Sequence, residues 1–249
     1  MTPVPPDPGM IIWDFDGTLY PLRPYDSEQT LMRLRLDQLK GPHWRPQKCM
    51  LRMLIDADRR QWFTGGRTRK LYQRFYGRCL KGTPVPLLDK TAASIAAAVS
   101  RQDRDALHRL CGDGWRMVVV SCGTLDLSER ILHKARIRSC FEAVYANQLR
   151  YENGRVAGID SYLITSEDKL RLARRLAGGQ VRGVVAVGDG YTDIPLLDWA
   201  ETPVMMDPEG SKRQKYAGKR YSFAPSIEAV YKLLTDCRRH SMGRTRYSV

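Results

Sequence analysis

Along the chain, short runs of consecutive apolar residues alternate with stretches whose apolar positions recur at helical spacing. Residues 10–13 form a β-branched and aromatic run that stops at Asp14, and similar runs recur at Met117–Val120 and Val184–Val187, with a weaker one at Thr202–Met206. Uninterrupted apolar runs of this length predict strands buried on both faces, as in a parallel sheet. Helical patterns follow at Leu125–Ala135 and at Lys169–Leu176, where Leu170, Leu172, Ala173 and Leu176 supply the apolar positions. Strand and helix in alternation predict an α/β fold built on a doubly wound (Rossmann-like) parallel sheet, whose ligands bind beyond the carboxyl ends of the strands.

The alternation is interrupted between Tyr20 and about Ser100. That stretch carries helical patterns at Cys49–Gln61 and Arg67–Leu80, an alanine-rich segment at Ala92–Val99 and no clear strand. It reads as a helical insert after the first strand. Residues 1–19 and 101–236 are then the core, with a core helix over Asp105–Leu110. Ala146–Leu149 and Arg155–Ile159 flank Asn153-Gly154, a strong tight-turn signal, and predict a hairpin. Residues 1–9 are poor in packing side chains and read as a mobile leader, with Met10 a candidate start. Residues 237–249, with four arginines and few apolar residues, read as a basic tail.

Composition narrows the class. With 43% hydrophobic residues in 249, the chain can build a substantial core. No run of about 18 apolar residues is present to span a membrane, and nothing resembles a signal peptide. Six scattered cysteines, with no Cys-x-x-Cys pair and no histidine cluster, argue against a zinc site or a disulfide framework and fit a reducing cytoplasm. The net charge is +14, and residues 20–100 alone hold 16 Lys/Arg against 6 Asp/Glu. Such a field favours anionic partners.

Candidate chemistry falls at the predicted strand ends. Asp14-Phe15-Asp16-Gly17-Thr18 places two carboxylates two residues apart, followed by a glycine that permits a sharp turn. By residue frequencies alone that pentapeptide pattern arises in roughly one chain in a thousand of this length. Val184–Val187 runs into Gly188-Asp189-Gly190-Tyr191-Thr192-Asp193, which again sets acids at a strand end. Two such acid sets suit Mg²⁺, an ion that takes carboxylates, a carbonyl, waters and substrate phosphate. Ser121-Cys122-Gly123-Thr124 offers a hydroxyl and backbone N–H groups to a phosphate, and Lys169 is expected to open a helix after Ser166-Glu167-Asp168.

These four elements, in this order, resemble the haloacid dehalogenase superfamily of phosphohydrolases, and the segment 146–158 resembles its phosphoserine phosphatase-like branch, which carries a cap where the helical insert lies. The resemblance implies that Asp14 is the nucleophile and forms an aspartyl-phosphate, and that Asp16 is the general acid and base. It implies Mg²⁺ on the Asp14 carboxylate, the Asp16 carbonyl and Asp189. Ser121, Cys122, Gly123 and Lys169 would bind the phosphate, with Asp193 in support. An aspartate at position 16 argues for phosphate chemistry over dehalogenation, since a halide leaves without a proton.

One position departs from the phosphoserine-specific pattern. Those relatives carry a glutamate nine residues past the nucleophile, where this chain has Arg23. With the basic insert, that reversal of charge leads us to expect a small phosphorylated substrate with an additional anionic group. A competing reading is nucleic-acid binding, or a polynucleotide-end phosphatase, because Trp44, Trp62, Phe63, Tyr72, Phe75 and Tyr76 are interleaved with cations. The i, i+3, i+4 spacing of Tyr72, Phe75 and Tyr76 instead predicts that they form the insert's own core.

Overall fold

The computed structural model of the chain describes residues 9–22, 25–60, 62–63 and 65–244, the side chains of 237–244 excepted. Seven strands form one sheet: β1 (Met10–Trp13), β2 (Arg116–Thr124), β3 (Ala143–Glu152), β4 (Arg155–Asp160), β5 (Val184–Gly188), β6 (Thr202–Met206) and β7 (Ser222–Ala224). Their order is β4-β3-β2-β1-β5-β6-β7, parallel throughout except for the antiparallel edge strand β4. The chain builds from β1 outward through β2 and β3, then returns to the other side of β1 for β5. The point where the order reverses therefore lies at the end of β1, the position at which open α/β sheets form a ligand crevice.

Alternate residues of each strand enter opposite cores. Ile11, Trp13, Met117, Val119, Val185 and Val187 share one cluster, and Met10, Ile12, Val118, Val120, Val184 and Ala186 share the other. Both faces of the sheet are covered, which is why the predicted strands carry no polar alternation. Covering helices are α5 (Arg101–Gly112), α6 (Leu125–Lys134), α7 (Ser166–Leu176), α8 (Ile194–Trp199) and α10 (Ile227–Arg244), with a short α9 (Lys212–Lys215) after β6. Three differences from expectation stand out. Strand β2 runs on through Ser121–Thr124, pairing again at Thr124 with Asn147 after a register shift, so the small residues lie at the strand's end rather than in a loop. Strand β7 is too short to leave a pattern. The backbone of 237–244 continues α10, so only 245–249, outside the described residues, remain of the expected tail.

Four helices connect β1 to β2: α1 (Ser27–Gln38), α2 (Arg45–Arg59), α3 (Gly66–Leu80) and α4 (Val85–Ala96). Leu31, Met32, Leu51, Leu54, Tyr72 and Tyr76 are each fully buried among them, and Tyr72 stacks on Tyr76 with ring centroids 6.0 Å apart. The aromatic residues at helical spacing thus form core, as predicted, while Trp62 is exposed. The segment carrying α4 is tied to the core. Gly82 N–H donates to Val156 O (2.8 Å), Val156 N–H to Thr83 O (2.9 Å), and Arg130 of α6 pairs with Asp89 at 2.6 Å. The hairpin β3–β4 turns at Asn153 and Gly154, both at positive φ (49° and 69°), the conformation that makes Asn-Gly favourable there.

Helix α3 packs on β4 at backbone distance, because a Cβ at Gly77 would lie 2.7 Å from Ile159 Cγ2. Overpacking such a seam costs about 1–3 kcal/mol. Gly77→Val is expected to lower the unfolding free energy measured in urea by that amount, whereas Gly112→Ala, where no atom lies within 4 Å of the added Cβ, leaves it equal or higher.

Candidate active site

The segment after β1 is held in place before any side chain acts. Asp14 N–H donates to Val187 O at 2.8 Å, extending the β1–β5 ladder by one bond and fixing Asp14 at the crevice. The chain then turns over Gly17, whose φ of +76° disfavours other residues and whose missing Cβ leaves room for the Asp189 carboxylate. Asp16 faces the helical insert: its Oδ1 accepts from the Tyr20 hydroxyl and, at 2.8 Å, from Ser27 N–H at the start of α1.

Lys169 is the hub. Its ammonium is 1% exposed and lies 2.5 Å from Asp14 Oδ1 and 2.6 Å from Asp193 Oδ1. It does not open its helix as expected. Ser166 does, with Thr165 as N-cap in a capping box with Asp168, so Lys169 sits one turn in and points along the buried side. The other oxygen of Asp193 accepts from the N–H groups of Asp189 (3.1 Å) and Gly190 (3.0 Å). A Cβ at Gly188 would lie 2.6 Å from Asp193, so the glycine permits this close turn.

Burial drives the electrostatics. It raises the Asp14 carboxyl well above the carboxylate range, Asp193 adds to the rise, and Lys169 opposes it. Burial pulls the Lys169 ammonium down, but Asp14 and Asp193 outweigh it and the net direction is up. Asp189 is pushed up to about 6 by burial, against the pull of Lys212. Lys212, one turn past β6, donates to the Asp189 carbonyl and to Met206 O (3.0 Å) and lies 3.3 Å from Asp189 Oδ2. Three carboxylates, those of Asp14, Asp189 and Asp193, thus share two ammonium groups, and Asp16 lines the same cavity, an excess of acid that suits a divalent cation. Asp14, Asp189 and Asp193 bring one oxygen each within 4.8 Å of one another. Because both oxygens of Asp193 are engaged by Lys169 and backbone N–H groups, Asp14 and Asp189 are the better placed ligands.

Ser121 and Gly123 complete the near wall, with Gly123 N–H donating to Ser121 Oγ at 3.0 Å. Cys122 lines the same cavity, and burial raises its thiol to about 11, so it is not a nucleophile at neutral pH. The cavity holds about 340 Å³, the scale of a small ligand.

Its far wall comes from the insert and is acidic. Asp26, Glu28 and Asp58 line it together with Arg59 and Arg69. Asp58 is already engaged, by Arg69 at 2.7 Å and Gln29 Nε2 at 2.9 Å. Glu28 is 4% exposed and its Oε1 is buried without a hydrogen-bond partner. Burial, then Asp26, raises the Glu28 carboxyl well above its ordinary range. The positive excess of residues 20–100 therefore does not extend into the cavity, which removes one of the two grounds for an anionic substrate group. The other, Arg23, lies outside the described residues.

The sequence reading missed Lys212, the acids of the far wall and Asn147. Asn147 is fully buried and uses its whole amide: Nδ2 donates to Cys122 O and Leu163 O (2.8 Å each), and Oδ1 accepts from Tyr162 N–H (2.8 Å) and Leu163 N–H (2.9 Å). It ties the Ser121 segment to the one leading into α7 and Lys169. Because its strand also carries Gln148, Arg150 and Glu152, Asn147 did not stand out in the sequence.

The sequence pattern of haloacid dehalogenase-like hydrolases matches residues 11–198. The chain belongs to that family. A phosphoserine phosphatase of Halobacterium salinarum is 31% identical over 128 residues, 49% of this chain and 60% of that protein. One from Lactococcus lactis is 28% identical over 125 residues, 49% of this chain and 55% of its own length. The chain thus spans little more than half the length of these two phosphoserine phosphatases. Among solved structures, a phosphoserine phosphatase phospho-aspartyl intermediate analogue aligns with a TM-score of 0.61 at 18% identity, over 88% of this chain and 93% of that one. A cytosolic 5′-nucleotidase IIIB bound to cytidine aligns with a TM-score of 0.67 at 14% identity, over 94% and 88%. At such identities the structures show the shared fold. Among the described residues, no helix is long and apolar enough to cross a membrane.

Replacing Asn147 with Leu removes its bonds to Leu163 O and to the N–H groups of Tyr162 and Leu163, while Cys122 O keeps Gln73 Nε2 at 3.3 Å. At about 1–3 kcal/mol for each buried unpaired group, a loss on the order of 3 kcal/mol or more is expected in urea unfolding. A loss below about 1 kcal/mol would show that the amide is not the tie described.

Proposed function

We propose that this chain is a Mg²⁺-dependent phosphomonoester hydrolase that works through an aspartyl-phosphate on Asp14. The observation that carries the reading is the buried Asp14–Lys169–Asp193 array at the switch point, with Lys169 Nζ 2.5 Å from Asp14 Oδ1. Lys169 binds Oδ1 and opposes the burial that raises the Asp14 carboxyl, and among the described residues nothing donates to the second oxygen of Asp14. That oxygen attacks phosphorus in line with the leaving oxygen. Asp16 gives its proton to the leaving alcohol, then takes one from the water that cleaves the acyl phosphate, returning Asp14 and releasing inorganic phosphate. Ser121 and the Gly123 N–H, with Lys169, bind the phosphate oxygens as charge shifts onto them.

The Asp14 and Asp189 carboxylates and the Asp16 carbonyl would hold Mg²⁺, with Asp193 and Lys212 fixing Asp189. When bound, the ion offsets repulsion between the nucleophile and phosphate. The helices between β1 and β2 act as the cap that sets substrate choice. Glu28, with a buried oxygen lacking a donor, and its neighbour Asp26 favour a substrate that brings a cation. An O-phosphorylated amine, phosphoserine among them, meets that requirement better than the anion-bearing substrate expected from the sequence.

A screen of phosphorylated metabolites with Mg²⁺ is expected to give kcat/KM at least about tenfold higher for amine-bearing monoesters than for phosphoglycerate, with Glu28→Gln erasing most of the difference. Faster hydrolysis of phosphoglycerate would reverse the substrate assignment. Asp14→Asn is expected to lower kcat by several orders of magnitude while the protein stays folded, and undiminished turnover would sink the nucleophile.

A pH dependence follows from Asp189, whose folded-state carboxyl lies at about 6, above its ordinary value of 3.8. In the metal-free protein the folded state binds this proton more tightly than the unfolded state. Stability from this group is therefore greatest below about pH 4 and is lost as pH rises through 6. Mg²⁺ competes with the same proton, so the rise in Tm on adding Mg²⁺ is expected to be large at pH 7.5 and to shrink at pH 5. An equal rise at both pH values would exclude Asp189 as the titrating ligand.

A further inference from the structure

A second cavity, of about 640 Å³, lies where the C-terminal end of α1 meets the start of α4 and the β3–β4 hairpin, and it shares no lining residue with the catalytic cavity. Four cations line it, Arg35, Lys40, Lys90 and Arg155, against a single acid, Asp37. Arg35 is the anomaly. It is 7% exposed, and its Nε is buried without a hydrogen-bond partner. Its described contact is the Trp44 ring, 6.0 Å from the guanidinium carbon. By contrast Arg69, the other deeply placed arginine of the insert, has Asp58 at 2.7 Å.

The neighbour of Arg35 is another cation. Arg155 Nη1 donates to Gly82 O at 3.1 Å, and a Cβ built on Gly82 would lie 3.6 Å from Arg35 Nη2, so two guanidinium groups flank one stretch of backbone. Burial, then Arg155, pushes the Arg35 guanidinium down from its ordinary value. Helix α4 adds potential of the same sign. Its first turn borders the cavity through Pro84 and Leu87, and it has neither a side-chain cap nor an acidic residue in that turn. The N–H groups of its first three residues are not open to a ligand, because Val85 N–H donates to Gly154 O at 3.1 Å, Pro86 has none and Leu87 N–H donates to Pro84 O at 2.9 Å, so the helix adds its axial dipole alone. Burying a cation without a partner is costly, and placing a second beside it costs more, unless an anion completes the set.

We propose that this cavity is a binding site for the phosphate group of a small anionic effector, held by the side chains of Arg35, Arg155, Lys90 and Lys40 beside the start of α4. A guanidinium offers a planar fork that matches a phosphate, and the two lysines supply point charges around it. Helix α1 connects the two cavities. Its first turn carries Glu28 and its last turns carry Arg35, roughly 10 Å further along the axis at 1.5 Å per residue.

The test is calorimetric titration of the full chain with inorganic phosphate and, separately, pyrophosphate, both without Mg²⁺. Three variants are compared: the double variant Lys90→Ala/Arg155→Ala, Arg35→Met, and Ser121→Ala in the catalytic cavity. The double variant and Arg35→Met are expected to weaken binding at least tenfold, and Ser121→Ala to leave this binding event in place. Arg35→Met is also expected to raise the Tm of the unliganded protein, because it removes a buried guanidinium Nε for which the described residues supply no acceptor. Tighter binding of pyrophosphate than of phosphate identifies a polyphosphate-bearing ligand, and equal binding identifies a single phosphate group; either supports the site. The proposal is overturned if neither anion binds, if Ser121→Ala abolishes binding while the double variant keeps it, or if an oligonucleotide binds through these cations and the small anions do not.

Discussion

The ammonium of Lys169, buried between Asp14 and Asp193, is the interaction on which the rest of the site depends. A buried carboxylate without a partner is too costly to stay ionised, and here two are buried together. One lysine meets both, opposing the burial that raises the Asp14 carboxyl and fixing the two acids on either side of one ammonium. The surrounding architecture maintains that geometry. Asp14 is pinned by the β1–β5 ladder, Asp193 is held by two backbone N–H groups, and Lys169 is delivered by a helix whose start is fixed by a capping box.

This dependence explains the strain-tolerant positions nearby. Gly17 and Gly188 have no Cβ where a Cβ would strike Asp189 or Asp193, and Asn147 satisfies four backbone groups at once to keep the Ser121 segment and the approach to α7 in register. None of these touches the cavity's centre chemically. Each bears on where a charged side chain or the backbone that carries one is held, the geometry on which electrostatic preorganisation operates.

The helical insert contributes in a different way. Its own core is aromatic and apolar, and its surface is strongly basic, yet the residues it turns toward the strands include Asp26, Glu28 and Asp58. Net charge is a property of the whole surface and says little about one wall of one cavity. The cations that the insert does gather, around Arg35, lie at the opposite end of α1, in a separate cavity.

Much of the fold was legible because buried strands and amphipathic helices leave periodic signals: β1, β5, β6 and the β3–β4 hairpin fall where the pattern predicts them. Asp14, Asp16 and Asp189 were legible because they stand at the ends of those strands, and Lys169 because it falls early in a helical pattern, one turn past the residue that opens α7. The paired acids and their strand ends are thus determined by the sequence alone, since local period and local chemistry suffice to place them. Tertiary structure alone decided that Lys169 bridges Asp14 and Asp193, residues 155 and 24 positions away in the chain. It also decided that Lys212 reaches back to Asp189, that Asn147 is a tie, and that the basic insert presents acids to the cavity. Those facts depend on which faces pack together, and a burial pattern read along one chain cannot encode the direction in which a charged side chain is enclosed.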